Sequence, residues 1–243
     1  MNSADISDAA RLLRYAFGPK ERPAPGSQYR ILLDRYRTDV GFAEIVGRIA
    51  DGLALDIHTA TQLGLLISGR AEGPFAVNLD SCGLPIRSGD GRLQDRRCFG
   101  LVLVALAAYA YPNGEALADT VNPTVRRGEL ERFLDRRIAA LVERPPGSDE
   151  MEQQLGAAAG IWMDLPEVLP GQRGGVLRNC RRWYVNHLLA FLVEQGRARR
   201  EPTLDDEHGE AYVLNDRFRI GLAEMSGALM PEAWQELGEA EEP

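Results

Sequence analysis

Lysine is nearly missing from this chain. Lys20 is the one lysine among 28 basic residues, so almost all positive charge is arginine. Codon bias in a GC-rich genome explains this without any role. The functional alternative is selection for two-pronged phosphate contacts, which guanidinium makes and ammonium does not. Basic residues are outnumbered by 36 acids, and the net charge of -8 excludes a nucleic-acid coat protein. Cysteine is scarce as well. Cys82, Cys98 and Cys180 are odd in number and far apart, which argues against a disulfide framework and a zinc cluster. They read as small core residues. The longest apolar run, Phe99 to Tyr111, is too short to span a bilayer, and no basic-then-apolar signal segment opens the chain. A soluble, cytoplasmic protein with no membrane partner is expected.

Catalytic motifs are missing too. The three histidines, His58, His187 and His208, fall on an expected strand, in an apolar helix and in a turn. No H-x-x-x-H or C-x-x-C spacing brings ligands together. There is no phosphate-binding loop of the G-x-x-x-x-G-K-[ST] type, and no G-x-S-x-G elbow. Gly171 to Gly175 is glycine-rich but follows no strand, so it is a poor match to a dinucleotide fingerprint. Asp205, Asp206 and Glu207 stand together in a turn, where adjacent carboxylates are usually solvated. The expectation is a protein that is not an enzyme, with no catalytic residue, no cofactor and no metal.

What the chain does have is ordinary globular composition, 44% hydrophobic and 26% charged, and enough length for two small domains or one large one. A short helix is expected over Asp8 to Phe17, then an exposed Pro/Gly loop. Tyr29, Leu32, Leu33 and Tyr36, then Phe42, Ile45, Val46 and Ile49, repeat at helical spacing around a break near Thr38-Asp39, with Asp39 as a cap. After Gly52 the period falls to two: Leu53, Leu55 and Ile57 alternate with Ala54, Asp56 and His58, and a turn leads into Leu63 to Ser68. A further short strand is expected at Phe75 to Leu79. The buried helix Arg97 to Tyr111 follows. Asn122-Pro123 then reads as the capped start of the next helix. Arg144 to Gly147 reads as a domain boundary.

The densest pattern lies between Val176 and Met225. From Trp183 to Val193 only Asn186 and His187 are polar, so this helix is expected to be buried almost all round. Gly196 ends it. A strand over Arg197 to Glu201, an acidic turn and a second strand over Ala211 to Leu214 follow, and Asn215 or Asp216 caps a last helix. Helices followed by a hairpin, in both halves, predict a mainly α fold with short β-hairpins (α+β) built as tandem winged-helix domains. The expected divisions are an N-terminal helix and loop over 1–28, a first winged-helix-like domain with extra helices over 29–145, a second over 146–230, and an acidic tail over 231–243. Arg178, Arg181 and Arg182 precede the apolar part of the long helix, and Arg197, Arg199 and Arg200 lie on the wing strand. Helix and wing are the surfaces on which such folds meet DNA phosphates, so these six are the candidate DNA-binding residues. A second cluster, Arg126, Arg127, Arg132, Arg136 and Arg137, is interleaved with Glu129, Glu131 and Asp135. It reads more simply as a salt-bridged helix face.

Two stretches carry a resemblance: DVGFAEIVGRIADGLALDIHTATQLGLLISGRAEGPFAV, which ends in an S-x-x-x-x-x-P-F segment, and WYVNHLLAFLVEQGRARRE with AYVLNDRFRI. Their order of amphipathic helix and hairpin resembles the kite family, the tandem winged-helix partners of the kleisin in bacterial SMC complexes, and most of all the kite subunits of Wadjet systems. The likeness covers about two thirds of the chain and lies in pattern rather than in a chemical motif. It implies a homodimer that holds a central part of the kleisin and serves a separate SMC ATPase. It further implies non-specific DNA contact within the complex and a role in condensin-like plasmid defence. The rival reading is a free-standing winged-helix transcription regulator, which would need an exposed recognition helix.

Overall fold

The computed structural model describes residues 3–76, 79, 82–119, 121–143, 150–171 and 175–229, except for the side chains of 151 and 224–229. Contacts divide the chain into two units. One is Met1–Cys82 with Glu194–Gly196, and the other is Gly83–Val193 with Arg197–Pro243. The fold is mainly helical with small antiparallel sheets, as the periodicities predict.

The first unit contains α1 (Ser3–Phe17), α2 (Gln28–Thr38), α3 (Val40–Gly52), β1 (Leu55–Thr61) and β2 (Gly64–Gly69). Local chemistry sets its breaks. Ser27 caps α2 by accepting the Arg30 N–H. Asp39 closes α2, donating its N–H to the Arg35 carbonyl, and opens α3 by accepting the Phe42 N–H on its side chain. The helical and two-residue periods converge on one core, in which Leu12, Leu33, Phe42, Val46, Leu55 and Leu65 are buried. A bulge between Ile57 and Thr59 interrupts the β1–β2 ladder at His58, whose Nε2 sits 2.7 Å from the Ser68 hydroxyl. The strand expected from Phe75 does not form there. Phe75 lies in a turn and packs its ring 4.8 Å from that of Phe17, while residues 77 and 78 are outside the described part.

The second unit contains α4 (Arg92–Ala110), α5 (Gly114–Ala118), β3 (Thr124–Arg126), α6 (Arg127–Glu143), α7 (Glu150–Asp164), α8 (Arg181–Glu194, all but its last residue), β4 (Ala198–Arg200), β5 (Ala211–Leu214) and α9 (Asp216–Leu229). α4 is buried along most of its length, from Cys98 and Phe99 to Ala108. α8 buries Trp183, Tyr184, Val185, Leu188, Leu189 and Leu192, as its apolar circumference predicts. His187 is only half-buried. Its ring lies tilted against Trp183 with the centroids 4.0 Å apart, and its Nδ1 lies 2.8 Å from the Trp183 carbonyl.

Two expectations change here. Asn122-Pro123 does not open a helix. Thr124 and Val125 instead pair antiparallel with Val213 and Tyr212, giving a three-stranded sheet ordered β3-β5-β4. β5 is buried along its whole length, and Val125 is fully buried beside it, so burial outweighs the local cap chemistry. The domain division also shifts. Contacts separate the units after Cys82, and 83–143 joins the second unit because β3 pairs with β5 and because α4 and α6 both pack on α7. The boundary expected at Arg144 to Gly147 and the acidic tail over 231–243 both fall outside the described residues. Among the described residues no helix is long and apolar enough to cross a membrane.

Candidate functional site

All six arginines expected to meet phosphate lie in the second unit, and the packing of α6, α7 and α8 decides the state of Arg181 and Arg182. Arg178 donates to the Pro85 carbonyl at 2.6 Å and lies over the Trp183 ring, 4.5 Å from its centroid. Arg181 caps the end of α7. It donates to the carbonyls of Trp162 (3.1 Å) and Met163 (3.0 Å), and pairs with Asp135 of α6 at 3.0 Å. Arg182 makes a two-pronged bond to Glu131 of α6 at 2.9 and 2.8 Å and reaches Glu167 at 3.2 Å. The hydrogen bond to Glu131 raises the Arg182 pKa further. On the wing, Arg200 holds Asp205 with two guanidinium nitrogens and lies over the Tyr212 ring.

The last two of the six are exposed. Arg197 donates to the Arg217 carbonyl at 3.4 Å, and its guanidinium is crowded enough that desolvation lowers its pKa. Arg199 keeps 71% of its side chain in solvent beside Glu201 at 3.2 Å. The α8 cations are therefore part of the unit's internal bonding, the Arg197 guanidinium is turned into its surroundings, and the outward charge of the wing rests on Arg199.

The second arginine cluster behaves differently from its sequence reading. Among the described residues the interleaved acids do not pair with Arg132, Arg136 or Arg137, although Glu129 lies 4.0 Å from Arg126, three residues before it. Glu131 and Asp135 are taken by Arg182 and Arg181, and Glu129 accepts from the Tyr109 hydroxyl at 2.8 Å. Arg126 pairs with Asp206 at 2.6 Å and Arg127 with Glu210 at 3.0 Å. Between the start of α6, the first turn of α8 and the 207–209 turn opens a cleft of about 470 Å³, whose lining includes Glu131, Arg132, Arg182, Glu207 and His208. Charges of both signs alternate across it. No group of three or more His, Cys, Asp or Glu converges on a metal position among the described residues.

The Cys98 thiol is pushed up to about 12, first by burial and then by the nearby Asp95 charge, so it stays protonated near neutral pH. No protein-family model matches the chain, and comparisons with curated proteins and with solved structures find no match either. Function therefore has to be argued from geometry.

One residue that the sequence analysis passed over is Asp95, completely buried and gripped by Arg87 and Tyr184. An acid three residues before Cys98-Phe99, on a helix buried along most of its length, was the available signal. A nearer test concerns the α6–α8 seam. Arg182→Ala should destabilise the second unit by roughly 1–3 kcal/mol, because it strands a Glu131 carboxylate that is only 11% exposed. Arg182→Lys should recover little of this, since an ammonium cannot bond both oxygens in the same plane. Urea unfolding followed by tryptophan fluorescence checks both.

Proposed function

We propose that this chain is a non-catalytic accessory subunit of an SMC, condensin-like complex: a kite-type tandem winged-helix homodimer that binds the kleisin and assists DNA engagement in Wadjet-type defence against plasmids. One observation carries the reading. Each unit places helices before a hairpin, α1–α3 before β1–β2 in the first and α6–α8 before β4–β5 in the second, with β3 added as the third strand. That repeated order supports two winged-helix units in one chain, and the protonated, buried Cys98 supports a role without covalent chemistry.

The winged-helix regulator is disfavoured. A reading helix must present free polar side chains to base edges. α8 instead buries six apolar residues, and Arg181 and Arg182 in its first turn are tied to Asp135 and Glu131.

Partner capture tests the proposal. The tagged chain should co-purify with a kleisin-like protein co-expressed from a neighbouring gene, and with the SMC ATPase only when that kleisin is present. Failure to retain any kleisin-like partner at physiological salt overturns the reading, and a footprint on one specific operator would favour the regulator.

A further inference from the structure

We infer that the outward face of α6 is a docking surface for the phosphate backbone of nucleic acid, carried by Arg132, Arg136 and Arg137. This deepens the function proposed above by naming the face that meets DNA, although its geometry stands without that reading. The argument begins with where the acids of α6 go. In an isolated helix, Glu129 or Asp135 would neutralise arginines one turn away. Here tertiary packing draws Glu131 to Arg182 and Asp135 to Arg181, while Glu129 accepts from Tyr109 and lies 4.0 Å from Arg126. The helix is thereby sorted by sign: carboxylates are spent on neighbouring elements, and three guanidinium groups remain without a carboxylate partner among the described residues.

The three cations have distinct surroundings. Arg132 is exposed, and its one hydrogen bond among the described residues is to the His208 Nδ1, at 3.1 Å. Arginine can only donate, so that imidazole nitrogen accepts, and Arg132 keeps its full charge. Arg136, one turn further along, is exposed and makes no ion pair or hydrogen bond among the described residues. Arg137, about 140° around the helix from Arg132 at ~100° per residue, flanks this face half-buried, with its guanidinium over the Phe133 ring, 5.3 Å from the centroid, an interaction that leaves the charge in place. The next exposed acid along the helix, Glu143, is two turns beyond Arg136.

A row of unneutralised guanidinium groups suits an extended polyanion better than a single small anion, because the charges do not converge on one point. The chemistry around the row separates nucleic acid from an acidic protein segment. Protein interfaces rely on buried aromatic or aliphatic anchors, whereas contacts to a phosphate backbone need donors and charge alone. Along α6 the one large apolar side chain left exposed is Val142, well beyond the arginines, and Phe133 is engaged with Tyr109 at 5.4 Å.

The test uses the full chain and a fluorescein-labelled random-sequence DNA duplex, with anisotropy measured across a salt series. The wild type should bind at low salt with little sequence preference. Charge reversal at all three positions (R132E, R136E and R137E together) should reduce affinity at least tenfold. It should also flatten the log affinity–log salt slope by about 2.7, taking about 0.9 for each of three phosphate contacts. Reversing Arg11, Arg14 and Arg48, exposed arginines of the first unit, makes the same change in net charge and should shift binding less than threefold. An unchanged melting temperature of the triple variant shows that it is folded. No binding by the wild type, an unchanged slope in the triple variant, or an equal loss in the control overturns the inference. Displacement of the duplex by polyglutamate at equal charge overturns it in favour of an acidic protein partner. Kleisin capture by the triple variant is read separately. Capture retained with DNA binding lost supports both proposals, while capture absent in the wild type removes the subunit reading and leaves the α6 face standing.

Discussion

Asp95→Ala should lower the stability of the second unit by about 3–5 kcal/mol, the cost of breaking a buried ion pair from one side. The carboxylate is fully buried and receives four hydrogen bonds. Arg87 supplies three, from Nε (2.9 Å), Nη2 (2.8 Å) and its backbone N–H (2.8 Å), and the Tyr184 hydroxyl supplies the fourth at 2.7 Å. Removing the acid leaves the tyrosine hydroxyl of α8 buried and unpaired and loosens the loop before α4. Arg87 is partly exposed and can rehydrate, which places the expected value toward the lower end of that range. Tyr184→Phe deletes one bond to a charged acceptor and should cost about 1.5–3 kcal/mol. Equilibrium unfolding in urea, read from Trp162 and Trp183 of this unit, gives both numbers. A loss below 1 kcal/mol for Asp95→Ala would mean that the network does not hold these elements together.

The same site sets an acid sensitivity. Burial by itself would raise the Asp95 pKa, but the hydrogen bonds from the Arg87 side chain and backbone and from Tyr184, with the Arg87 charge, outweigh it and leave the pKa lowered. A carboxyl whose folded pKa is depressed contributes stability above its unfolded value and loses that contribution as pH falls through the folded one. Wild-type stability should therefore decline below the ordinary aspartate range. Asp95→Asn, already destabilised at neutral pH, should show a shallower decline over the same interval.

Gly64→Ala should destabilise the first unit by about 2–4 kcal/mol, combining backbone strain with a displaced buried hydrogen bond. Gly64 opens β2 at φ +120, a conformation that L residues rarely adopt, and an added Cβ would fall inside contact distance of the Tyr29 hydroxyl and ring. Tyr29 cannot yield easily. It is 2% exposed, stacks on Tyr15 at 5.0 Å, and its oxygen accepts the Leu65 N–H at 2.9 Å. Far-UV circular dichroism in urea measures the loss, and amide hydrogen exchange should speed up across the β1–β2 hairpin. Wild-type protection at Leu65 in the variant would mean that the turn tolerates a side chain.

Several features could be read from the chain alone because they depend on residues within a few positions of one another. Asp39 announces the α2–α3 break, the alternation after Gly52 announces the β1–β2 hairpin, and Ala211–Leu214 forms a strand where its composition places one. The apolar circumference of α8 likewise foretells its burial. Other features depend on which distant segment packing delivers. Local cap chemistry marks Asn122-Pro123 as a helix start, but β5 offers Thr124 and Val125 a buried ladder, and the strand forms instead. The arginines are the clearest instance. Spacing pairs the α6 acids with arginines a turn away, yet Asp135 meets Arg181 and Glu131 meets Arg182, partners 46 and 51 residues distant. A guanidinium is satisfied by whatever carboxylate the tertiary fold brings to its plane. The sequence could therefore supply the charges, and only the packing of α6 against α8 could decide which of them remain free to face a partner.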